Sequence, residues 1–74
     1  MTIGEIIRKK RIDMNLTQKQ LAENLKVSHT TVNLWEKGNV YPSAMCLCDL
    51  ADQFHCSVDE LMGRKNVYRV VRRR

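Results

Sequence analysis

Only three residues, Lys26 to Ser28, separate two stretches of helical periodicity, and so short a link permits few arrangements. Upstream, Leu21, Ala22 and Leu25 recur at a spacing of three or four; downstream, Val32 and Trp35 do the same. Two helices joined this tightly must cross steeply. Ala22 suits such a crossing, because close approach of two helices requires a small side chain.

The rest of the chain repeats the helical pattern. Ile3, Ile6 and Ile7, extended by Met14, form one apolar stripe, and Leu47, Leu50, Ala51 and Phe54 another. Thr2 with Glu5, Thr17 with Gln20 and Ser57 with Glu60 match the capping box, in which a hydroxyl and an N3 side chain satisfy each other's orphan amides. Ser28 and Pro42-Ser43 are further start signals. Asn15, Gly38 and Gly63 suit left-handed helix ends, and Lys26 and His55 would occupy similar turns at a modest backbone penalty. These signals predict helices over 3–14, 18–25, 29–37, 43–54 and 58–62. The fold expected is all-α, with a helix-turn-helix formed by the second and third helices.

Charge is distributed unevenly. The net +5 divides into +3 over residues 1–38, −4 over 39–63 and +6 over 64–74. Such asymmetry suits one surface that meets a polyanion and another that avoids it. Seventy-four residues make one small domain, here 1–63, followed by a basic tail, 64–74. No apolar run approaches the roughly 18 residues that span a bilayer, and the start lacks the order of a secretory signal. A cytoplasmic protein without membrane contact is expected. Cys46, Cys48 and Cys56 are a poor disulfide framework and a poor zinc site, and read as reduced, partly buried thiols.

The third helix divides by angle at about 100° per residue. Val32 and Trp35 define its buried side, with Ser28 near them and Glu36 at the edge. Thr30, Asn33, Leu34 and Lys37 fall opposite, with His29 beside them. Hydroxyl, amide, imidazole, ammonium and one exposed leucine make a usable set for base edges and phosphates. A merely solvated polar face has the same composition.

The run LTQKQLAENLKVSHTTVNLWEKG (16–38), followed by YPS and LADQFHCSVDELMG, resembles the phage repressor and Cro type of helix-turn-helix domain, the Xre-like family. The match extends over residues 3–63. It rests on Thr17-Gln18, Leu21-Ala22, Val27-Ser28, Trp35-Glu36, Gly38, Pro42-Ser43, Leu50-Ala51 and Ser57 to Leu61. The resemblance implies a five-helix, repressor-like DNA-binding domain, working as a homodimer on a palindromic operator, with its third helix in the major groove. It further implies base reading by His29, Thr30, Asn33 and Leu34. Backbone contacts would come from Thr17, Gln18, Ser28, Lys37, Gly38 and Asn39. Gln18 resembles a glutamine that both bonds a phosphate and braces the recognition helix. Arg11 and Glu36 resemble a structural ion pair between the first and third helices. Lys26 departs from the family pattern, where Gly or Asn is frequent.

The function expected is a sequence-specific regulator of transcription on double-stranded DNA, with repression favoured. A DNA-binding antitoxin, or a partner-binding module of a larger complex, is the rival reading, for which only the 11-residue tail could serve as a partner extension. No metal-ligand cluster, Gly-rich phosphate loop or nucleophile motif is present, so no enzyme, metal site or cofactor is expected. A core of this size leaves little room for a small-molecule inducer. The dimer surface expected lies on the fourth and fifth helices and the tail, with Met45, Cys48 and Met62 exposed.

The tail RKNVYRVVRRR has three readings: a source of nonspecific phosphate affinity, a strand pairing through Val67, Val70 and Val71 in a dimer, or a solvated end. The first is testable. Each phosphate neutralised steepens the fall of affinity with salt. Deleting residues 64–74 then flattens the slope of log K against log salt in a titration on duplex DNA, and an unchanged slope rules that reading out.

Overall fold

The computed structural model describes residues 1–63; the basic tail lies outside the described residues. Five helices follow one another, α1 (Ile3–Asp13), α2 (Gln18–Leu25), α3 (His29–Lys37), α4 (Ala44–Phe54) and α5 (Val58–Leu61), with no strand among the described residues. Every helix start is capped by a side chain. Thr2 and Thr17 form complete capping boxes with Glu5 and Gln20. Ser28, Ser43 and Ser57 each accept a backbone N–H from three residues on. The expected box at Ser57 is only half made. The Glu60 carboxylate instead receives Lys10 Nζ at 2.6 Å, tying α1 to α5 and raising the Lys10 pKa through that hydrogen bond.

Helix ends follow the left-handed residues. Lys26 (φ 60°) and His55 (φ 55°) close α2 and α4, and Gly38 (φ 82°) closes α3. Asn15 and Gly63 also carry positive φ, one residue beyond the caps Met14 and Met62. Those two methionines lie outside their helices, and Ser43 stands before α4 rather than in it. Met14 is 38% exposed, so it does not extend the α1 stripe. The stripe ends because the helix ends.

All five helices feed one core. Ile7, Leu21, Val32, Leu50 and Leu61 are fully buried, one from each helix, and Trp35 joins them at 2% exposure. Ala22 is buried with them at 2% exposure. A close backbone junction lies between α1 and α3. Gly4 is buried against the C-terminal turn of α3, where a Cβ would collide with the carbonyl oxygen of Trp35 and come within 2.8 Å of that of Glu36. Backbone meets backbone here, so no side chain can swing aside.

A second link joins the same helices. The Arg11 guanidinium grips the Glu36 carboxylate with Nε to Oε2 at 2.7 Å and Nη2 to Oε1 at 3.1 Å. The Arg11 side chain is 12% exposed and that of Glu36 3%. Arg11 Nη1 also donates to the carbonyl of Leu16 at 2.7 Å, in the link between α1 and α2.

Two stability outcomes follow from this junction. Gly4→Ala lowers stability by about 3 kcal/mol or more in urea unfolding, at the upper end of overpacking because backbone must shift. Arg11→Met or Glu36→Leu alone costs about 3–5 kcal/mol by stranding a buried charge, whereas the double variant costs clearly less than the two losses combined. Simple additivity in the double-mutant cycle would contradict that coupling.

Candidate nucleic-acid interface

α3 is presented by its neighbours rather than by its own sequence. Val32 and Trp35 anchor it in the core, and α1 and α2 flank it. His29, Thr30 and Lys37 are exposed, while Asn33 and Leu34 are half-buried. Leu34 therefore does not stand free as the helical angle implied. After Gly38 the chain folds back, Asn39 N–H and Val40 N–H reaching the Leu34 carbonyl at 3.0 and 3.4 Å, which brings residues 39–40 beside it.

Gln18, the first residue of α2, joins the two helices. Its Nε2 donates to Glu36 Oε1 at 3.0 Å, and its Oε1 lies 3.1 Å from His29 Nε2 and 3.3 Å from Asn33 Nδ2. A continuous polar chain thus runs from Arg11 through Glu36 and Gln18 to two residues of the outward face. One Gln18 N–H remains uncommitted, since a primary amide carries two. The Gln18–Glu36 bond carries no sequence signal: it is made between residues on different helices, at a separation only the crossing angle sets.

The other residues expected to contact DNA are engaged to different degrees. Thr17 Oγ1 accepts from Gln20 N–H at 3.0 Å. Ser28 Oγ accepts from Thr31 N–H at 3.1 Å and pairs with Thr31 Oγ1 at 2.8 Å. The amides of Gly38 and Asn39 donate to the carbonyls of Trp35 and Leu34, so they cap α3. The groups this loop can offer a phosphate are the side chains of Lys37 and Asn39. Gly38 supplies the left-handed turn, and a Cβ there would meet nothing within 4 Å, so the backbone angle alone calls for glycine.

In α4, Met45 is 75% exposed and Cys48 is exposed, but Met62, just after α5, is half-buried. Burial pushes the Cys56 thiol pKa up, which disfavours the thiolate. Among the described residues no helix is long and apolar enough to cross a membrane.

Comparison with known proteins places this geometry in context. The model of the family described as helix-turn-helix matches residues 7–61. The transcriptional regulator DicA of Escherichia coli is 42% identical over 57 residues, 77% of this chain and 42% of that protein. The transcriptional activator BcrR of Enterococcus faecalis is 40% identical over 63 residues, 85% of this chain and 31% of the relative. The chain thus spans less than half the length of these two relatives. Among solved structures, the P22 c2 repressor in complex with a synthetic operator superposes with a TM-score of 0.83 at 28% identity, covering 88% of this chain and 98% of that one. With its family model matched across most of its length, its five helices and its tightly turned α2–α3 pair, this chain belongs to the helix-turn-helix family, of the phage-repressor type.

Proposed function

We propose that this chain is a sequence-specific regulator of transcription that binds double-stranded DNA with α3 in the major groove. The observation that carries the reading is the outward face of α3, held at a fixed angle by buried side chains behind it and a hydrogen-bonded chain beside it. His29, Thr30, Asn33 and Leu34 read base edges in this proposal. Asn33 has the amide geometry for adenine, and the methyl groups of Thr30 and Leu34 suit thymine methyls. Because Leu34 is half-buried, its contact is limited to the exposed part of the side chain.

Phosphates are bound by the free N–H of Gln18, by Lys37 and by the Asn39 side chain, with Thr17 and Ser28 adding contacts from helix starts. Lys37 and the +3 balance of residues 1–38 favour this side for a polyanion, while the −4 of residues 39–63 turns the other side away from it. Repression is the favoured outcome, following the solved P22 c2 repressor and the phage repressor RstR of Vibrio cholerae, 36% identical over 64 residues. We further propose a cytoplasmic homodimer on a palindromic site, with no cofactor and no catalysis. Residues 1–63 are its DNA-binding domain and 64–74 a basic appendage.

Replacing Thr30 and Asn33 by Ala, singly, reduces discrimination between a selected operator and random duplex by about 1–3 kcal/mol per good base contact. Anisotropy titrations of both duplexes measure it. Equal weakening on both would remove these residues from the reading set. Selection from a random DNA pool yields a palindrome if the chain binds as a symmetric dimer, and a single asymmetric half-site if it does not.

A further inference from the structure

The atoms around Gln18 can be arranged in only one order. A carboxylate only accepts, so the end of the Gln18 amide that faces Glu36 must be its NH2. The other end is then an acceptor, and both groups that face it must donate. His29 must carry its proton on Nε2, and Asn33 must turn its NH2 inward. Glu36 has no freedom of its own, because the Arg11 fork occupies both of its oxygens.

We propose that Glu36, acting through Gln18, sets the donor and acceptor polarity of the outward face of α3 and thereby the class of base edge that face selects. The proposal rests on the DNA-reading role given above. With its proton on Nε2, a neutral His29 presents Nδ1 as an acceptor. Asn33 presents Oδ1 as an acceptor together with its second N–H. That pattern fits adenine, which offers an amine and the N7 acceptor to Asn33, and it fits an adenine or cytosine amine at His29. At His29 it opposes guanine O6 and thymine O4, which are acceptors themselves, while at Asn33 the acceptor and donor side by side match adenine. Glu36 is a positioning residue: its side chain is 3% exposed and acts only through its neighbours.

Exchanging the pair, Arg11→Glu with Glu36→Arg, tests the relay by inverting it. The ion pair is kept, but a guanidinium only donates, so Gln18 must turn its oxygen toward position 36. Gln18 then presents its own NH2 to His29 and Asn33. In the free protein, nitrogen NMR of the neutral His29 ring is expected to show Nε2–H in the wild type and a shift to Nδ1–H in the variant. In site selection, the preference at the Asn33 position moves from adenine toward guanine by roughly tenfold or more, the size of one bidentate base contact.

If the exchange variant does not fold, Gln18→Ala serves in its place. It removes the acceptor without touching the ion pair, and preference at the two positions flattens by roughly tenfold. An unchanged His29 tautomer in the folded exchange variant overturns the relay. So does uniform weakening by Gln18→Ala with the base pattern intact. Should the chain bind no DNA, the tautomer in the free protein still decides the relay, while the reading of α3 as a DNA surface fails separately.

Discussion

The Arg11–Glu36 pair is the interaction on which the rest of the structure depends. One guanidinium reaches α3 through two bonds to Glu36 and the α1–α2 link through the carbonyl of Leu16. Both elements that meet at the helix-turn-helix are therefore referred to α1. Such a pair contributes little net stability compared with apolar residues of the same volume, because two charges leave water to make it. What it supplies is geometry. A planar fork on a carboxylate holds angle as well as distance, and a single apolar contact does not.

Gly4 sets the other half of that geometry. The first turn of α1 lies directly on the last carbonyls of α3, so the axis separation at this end is the smallest that two backbones allow. Arg11, two turns further along α1, grips the same turn of α3 through the Glu36 side chain. With two points of α1 fixed on one turn of α3, the outward face of α3 has little freedom relative to the domain. The polar chain through Gln18 then carries that rigidity to individual atoms.

Much of this was legible in the sequence, for a definable reason. Caps and left-handed turns are chemistry among residues within four positions of each other, so Thr2, Thr17, Ser28 and all five positive-φ residues could be read directly. The buried side of α3 followed from periodicity, and the Arg11–Glu36 contact from family resemblance. The features that escaped depend on distances between elements. Gly4 looks like any helical glycine until α3 is laid on it. Glu60 looks like a capping-box residue until Lys10 arrives from 50 positions away. Leu34 was placed outside because an isolated helix has no loop folding back beside it. Resemblance implied that Gln18 braces α3, but its particular partners, Glu36, His29 and Asn33, appear only when two helices are set at one particular crossing.

Trp35 gives the molecule an internal reporter. It is the only tryptophan, it is almost wholly enclosed, and its carbonyl lies against Gly4. It belongs to the core that all five helices share. A ligand on the outward face of α3 leaves that core closed, whereas its opening exposes the ring to water. Intrinsic fluorescence of the unmodified chain thus distinguishes loss of the scaffold from loss of the surface it displays.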